Sequence, residues 1–261
     1  METTLFTDLL NDPSIKKLFT IFNMEQKHIR LVGGCVRDAL LKKETKDFDA
    51  ATQFEPIEVK SILKNNNIEF DDYAIQYGSI IAYPLDKKVQ ITSLREDINQ
   101  LGRHTAVLFT KDWKKDAARR DFTFNAIYLG EDLKIYDYYN GQKDLQEKTL
   151  KFIGEIEDRI KEDYLRIYRY FRFLGLFDLP LINKNTQMIV EKYIHESLAV
   201  LTNDVLRQEV LKMFNMPYPL NCFYQSHVTF KWVEILKEHF IKTNYELGLK
   251  KCLNKIDNII N

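Results

Sequence analysis

The chain has 261 residues and equal numbers of Lys+Arg and Asp+Glu, 38 of each, so no global field marks it for a polyanion and any nucleic-acid contact must rest on local basic patches. Hydrophobic residues make up 45% and aromatics 13%, which excludes a disordered chain and is enough for a core burying about 70–75% of the surface. No run approaches the ~18 apolar residues of a membrane-spanning helix. The acidic start "METTLFTDLLNDP" lacks the basic segment of a secretory signal. Cys35, Cys222 and Cys252 are odd in number and widely spaced, so a disulfide framework is not expected and a reducing, cytoplasmic setting is.

In chain order, "DPSIKKLFTIFNM" (12–24) has helical spacing with Pro13 near its start. "IRLVGG" (29–34) predicts a strand ended by a glycine turn, and "CVRDALLKK" a helix directly after it. "KDFDAAT" (46–52) predicts a second strand, and "EPIEVKSILKNNN" a helix opened by Pro56. "GSIIAYPL" and "KVQITSLR" (78–85, 88–95) predict paired strands around "DKK". Beyond residue 140 strand signals fade. "GEIEDRIKEDYLRIYRYFRFLGLF" (154–177), "NDVLRQEVLKMF" with Asn203 as N-cap, and "HVTFKWVEILKEHFI" have helical spacing. The expectation is an α+β chain: a mixed head over 1–140, a helical neck over 141–200 and a short helical body over 201–261.

Asp47 and Asp49 lie two apart in the second expected strand and so share a face. Two hard carboxylates suit Mg²⁺, which keeps water and phosphate oxygens in its shell. On their own they fit a solvated loop edge better. Gly33 and Gly34, between a strand and a helix, offer free backbone N–H groups to an anion, and Arg37 one turn later adds charge. A plain strand-to-helix turn has the same pattern. What gives these residues meaning is their order: strand, phosphate turn, helix, acid-bearing strand.

"LVGGCVRDALL" and "KDFDAAT", followed by "RRDFTFNA" (119–126) and "EDYLRIYRYFRF" (162–173), resemble class II tRNA nucleotidyltransferases and the related bacterial poly(A) polymerases. The resemblance runs from about residue 29 to 177, with a weaker echo at 201–214 that keeps Arg207 and Glu209. It implies a polymerase-β-like head with a five-stranded sheet, and transfer of CMP and AMP from CTP and ATP to the tRNA 3′ end with two Mg²⁺ ions and release of pyrophosphate. Asp47 and Asp49 take the catalytic and metal-ligand roles. Gly33, Gly34, Arg37 and Arg120 take the nucleotide-phosphate roles, with Asp121 and Asn125 at the ribose. Asp163 and Arg166, read as i and i+3 of one helix, imitate a Watson–Crick edge for C and A, and Arg169 and Arg172 lie near the nucleotide. The expected partners are the tRNA 3′ end and acceptor stem, ATP and CTP, with no membrane and no obligate protein partner.

Three features shape the alternatives. Gln90 stands where many relatives carry a third acid, with Glu96 or Asp97 as possible substitutes; this favours an inactive RNA-binding homologue. "REDINQLGRHTAVLFTKDW" (95–113) matches the loop that relatives use to switch from CTP to ATP, which favours ATP use over addition of CC alone. Addition of A alone and poly(A) synthesis are the rival activities. The chain is shorter than relatives with a tail domain, so the tail is expected to be absent or vestigial, and Lys231, Trp232, Lys237, Lys250 and Lys251 are candidates for gripping tRNA phosphates.

Overall fold

The computed structural model describes residues 3–23, 27–45, 47–101, 104–225 and 228–242. The order is α1 (Thr3–Asn11), α2 (Pro13–Phe22), β1 (Ile29–Val32), α3 (Gly34–Leu40), β2 (Phe48–Thr52), α4 (Pro56–Asn65), β3 (Glu69–Asp71), β4 (Ser79–Tyr83), β5 (Val89–Ser93), β6 (Arg95–Leu101), β7 (His104–Phe109), α5 (Trp113–Ala118), β8 (Ile127–Leu129) and β9 (Ile135–Asp137). There follow α6 (Gly141–Gln146), α7 (Ile156–Glu162), α8 (Leu165–Leu174), α9 (Lys184–Lys192), α10 (Ile194–Val200), α11 (Asn203–Phe214), β10 (Tyr224–Gln225), β11 (Val228–Thr229) and α12 (Lys231–Lys242). Two compact units result. One runs to Gln100 and from Thr105 to Leu145; the other takes Leu101–His104 and the chain from Gln146.

The first unit is built on a sheet of order β3-β4-β5-β2-β1-β8-β9. It has seven strands where five were expected. The additions are the three-residue edge strands β3 and β9, too short and too polar to show a period-2 pattern. β2 runs parallel to β5 and antiparallel to β1, so the sheet is mixed. α2 forms where expected: Asp12 caps it, accepting from the Ser14 and Ile15 amides, with Pro13 in its first turn. Its buried Ile15, Leu18 and Phe19 pack beneath the sheet residues Ile29, Leu31 and Ala50, and Phe22 meets the Phe54 ring. β6 and β7 pair with each other as a separate hairpin.

The second unit packs α8 and the segment holding Phe223 around Trp232 of α12, which is fully buried and within 6.0 Å, centroid to centroid, of Tyr168, Phe171 and Phe223. Trp232 is therefore core and does not meet RNA; its apolar neighbours in "FKWVEIL" belong to the same buried face. Three further expectations change. The helix expected over 154–177 breaks at Asp163, whose extended backbone (φ −151°, ψ 102°) ends α7 before α8 begins. The N-cap of α11 is Thr202, and Asn203 is its first residue, bonded through Oδ1 to His239 Nε2 at 2.8 Å. The remainder is not wholly helical, because β10 and β11 pair. Lys250 and Lys251 lie outside the described residues.

Candidate active site

β2 carries the acids to the sheet's ligand face. Phe48, Ala50, Ala51 and Thr52 are buried, and Asp49 is the half-buried residue of the strand. β2 starts at Phe48, so Asp47 sits just outside it, exposed, while Asp49 lies within it. Burial holds the Asp49 carboxyl above its ordinary range, and Asp47 adds to this; Arg120 and Arg37 oppose it. On the parallel neighbour β5, Gln90 stands directly beside Asp49 in register and shares its face. The proposed substitutes are engaged elsewhere: Glu96 pairs with Lys115 at 2.9 Å and Asp97 with Arg95 at 3.2 Å. Among the described residues no three His, Cys, Asp or Glu side chains gather as a metal cluster. Two carboxylates and a glutamine suit a hard divalent ion that takes its remaining oxygens from water and phosphate.

The glycine turn abuts these acids. Gly33 has φ +75° and ψ −129°, a conformation that strains any residue with a Cβ, and its amide donates to the Ile127 carbonyl at 3.3 Å. A Cβ there would lie 3.6 Å from Arg120 Nη1 and 3.9 Å from Asp49 Oδ2, so the turn, the arginine and the acid converge on one spot. Gly34 opens α3, and Arg37 on that helix donates from Nη1 to Asn125 Oδ1 at 2.8 Å and pairs with Asp38 at 2.8 Å. Asn125 in turn donates to Asp121 Oδ1 at 3.0 Å. Both are buried, and in this structure they form a chain that braces Arg37.

The residue that sequence reasoning missed is Asp116. It is fully buried on α5, pairs with Arg119 at 2.8 Å and Arg120 at 3.3 Å, and accepts the Tyr128 hydroxyl at 2.7 Å. Burial pushes its carboxyl up, but the two guanidiniums and the tyrosine hold it below its ordinary range. "DAARR" did contain the signal, since an acid three and four residues before two arginines faces both on a helix. Arg119, Arg120, Arg95, Asp49 and Gln90 line an open cleft of about 360 Å³.

In the second unit, α8 steps Arg166, Arg169 and Arg172 along one side. Asp163 is not on that helix. It precedes it, and its Oδ1 accepts the Leu165 amide at 3.0 Å while its carbonyl accepts the Arg166 amide at 3.0 Å. Arg166 Nη1 donates to the Arg159 carbonyl at 2.8 Å and to Glu162 at 2.6 Å, tying α8 to the end of α7. Arg172 pairs with Glu209 of α11 at 3.2 Å, and both Arg169 and Arg172 lie against the Phe173 ring. Lys231 is exposed; Lys237 is half-buried and paired with Glu234.

The chain is similar to several known proteins. The poly A polymerase head domain matches residues 29–151. The mitochondrial CCA tRNA nucleotidyltransferase 1 of Homo sapiens is 41% identical over 186 residues, covering 67% of this chain and 43% of that protein. The CCA-adding enzyme of Lactobacillus delbrueckii subsp. bulgaricus is 34% identical over 184 residues, 70% of this chain and 45% of its own. The crystal structure of the Bacillus stearothermophilus CCA-adding enzyme in complex with CTP aligns with a TM-score of 0.71 at 26% identity, over 81% of this chain and 51% of that one. The chain thus spans about half the length of each of these relatives. No helix among the described residues is long and apolar enough to cross a membrane.

Proposed function

We propose that this chain, which belongs to the CCA-adding tRNA nucleotidyltransferase family, transfers CMP and AMP from CTP and ATP to the 3′ end of tRNA and releases pyrophosphate. The observation that carries the reading is that Arg120 Nη1 and Asp49 Oδ2 both lie within 4 Å of where a Cβ on Gly33 would stand, which brings a guanidinium and a carboxylate up to the glycine turn. Nucleotidyltransferases of this kind generally use a divalent metal. Asp47 and Asp49 are the residues that would hold it, as two Mg²⁺ ions in our reading, supplying activation of the RNA 3′-hydroxyl and neutralisation of the pyrophosphate.

The protein's own groups do the rest. The glycine turn, through the Gly34 amide, and Arg37 bind the triphosphate, with Gly33 setting the turn and Arg37 fixed by Asp38, Asn125 and Asp121. Arg120, fixed by Asp116, faces the charge that builds on the transferred phosphate. Asp163 and Arg166 select the base, since an acceptor beside a guanidinium matches C and A and leaves G and U unpaired; one such pairing discriminates by about 1–3 kcal/mol. Arg169 and Arg172 support that selection. We assign residues 1–140, 141–200 and 201–261 to head, neck and body, the tRNA 3′ end and acceptor stem as partner, and the cytoplasm as location. Cys35 and Cys222, free and buried, fit a reducing compartment.

Gln90 favours a second reading, RNA binding without transfer, because it brings no charge to the position beside Asp49. One assay separates the readings. tRNAs ending before CCA, after C and after CC are offered each nucleoside triphosphate singly with Mg²⁺. Ordered addition of C, C and one A is expected. A on the CC end alone means A addition, long A runs mean poly(A) synthesis, and no incorporation overturns the enzyme.

A further inference from the structure

Two large aromatic side chains stand in solvent beside the cleft that holds Asp49. Tyr73 is 75% exposed and Tyr77 46% exposed, and both line the cleft together with Arg119 and Arg120. The turn that carries them is firmly tied. Ile75, Tyr77 and Gly78 amides donate back to Asp72, Ala74 and Ile75 carbonyls, and Gly78 accepts the Ser93 amide at 2.8 Å. Arg95 donates to the Tyr77 carbonyl, and Asp72 pairs with Lys60 at 2.6 Å. Gly78 has φ +80°, and a Cβ there would meet the Phe109 ring at 2.7 Å, which holds the turn against β7. Exposed rings on a rigid backbone lose little entropy when something stacks on them.

Position in the sheet says what would stack there. Asp49 on β2 has the glycine turn at the end of β1 on one flank. On the other flank come Gln90 of β5 and then β4, which Tyr73 and Tyr77 precede. In phosphoryl transfer the attacking and leaving oxygens lie on opposite sides of the phosphorus, roughly in line. With the triphosphate on the glycine flank, the attacking strand enters from the tyrosine flank. Its terminal base then meets the rings and its backbone phosphate meets Arg119.

We propose that Tyr73 and Tyr77 form a stacking platform for the 3′-terminal base of the acceptor RNA. This rests on the nucleotidyl-transfer reading above, but its test does not need turnover. The full chain is titrated, without nucleoside triphosphate, against a labelled tRNA acceptor minihelix ending in CC and against the same RNA with an abasic terminal nucleotide. The wild-type protein should bind the abasic RNA about 5- to 150-fold more weakly, the range of one base–aromatic stack. Y73A/Y77A should bind the intact RNA as weakly as the wild type binds the abasic one, with no further loss on the abasic RNA, while Y73F/Y77F keeps wild-type affinity. Equal binding of both RNAs by the wild type, or additive losses in Y73A/Y77A on the abasic RNA, would each overturn the platform. Base-dependent binding without incorporation would instead overturn the transfer reading and leave the platform standing.

Discussion

Asp49 carries the cost of the site at the level of single residues. Burial raises its carboxyl pKa and the neighbouring Asp47 adds to the rise, only partly offset by Arg120 and Arg37. A group whose folded pKa lies above its unfolded value favours the fold below the unfolded pKa and loses that contribution as pH rises through the folded one. At neutral pH the charged Asp49 therefore costs the fold stability. D49N should raise the melting temperature near pH 7, with the gain vanishing toward pH ~4, the unfolded carboxylate range, while reducing transfer to background. A lower melting temperature for D49N at pH 7 would remove the burial argument. The two aspartates stood out only through their order after the glycine turn; strand spacing alone did not single them out, and β2 begins after Asp47. For Asp116 the two arginine pairs were present in "DAARR", but its third partner, Tyr128, is supplied by β8 and was not legible.

At the scale of elements, the break between α7 and α8 gives Asp163 two jobs. Its carboxylate caps the first turn of α8 through the Leu165 amide, and it is the proposed acceptor half of the base-selecting pair. The jobs separate by substitution. Asparagine caps a helix as well as aspartate does, while loss of a cap to alanine costs about 1 kcal/mol. D163N should unfold in urea at the wild-type midpoint yet misincorporate G or U, whereas D163A should show both the misincorporation and the lost stability. Wild-type selection by D163N would confine Asp163 to capping. This break was hidden in the sequence because helical spacing runs through "EDRIKEDYLRIYRYF" without a glycine or proline to interrupt it. The strands β1, β2, β4 and β5 were plain because each is a short apolar run bounded by glycine, proline or charge. The edge strands β3 and β9, and the two-residue β10 and β11, are too short for any period to register.

The whole molecule divides its labour between two separately cored units, one around the sheet and one around Trp232. Separate cores of this kind unfold as separate cooperative transitions rather than one. All the residues proposed to hold phosphate, namely Gly34, Arg37 and Arg120, with Gly33 setting the turn, and the acids Asp47 and Asp49, belong to the first unit. A ligand stabilises only what it binds, by about 2.7 kcal/mol at a concentration of 100 times its Kd. Inorganic tripolyphosphate with Mg²⁺ has the charge of a nucleotide and no base for Asp163 or Arg166. In calorimetry it should move the sheet unit's transition upward and leave that of the helical unit in place. G33A, which strains the turn at φ +75°, should lower the sheet unit's transition and weaken the tripolyphosphate shift, while leaving the helical transition unchanged. An equal shift of both transitions in the wild type would mean that the phosphates are not held by the sheet unit alone.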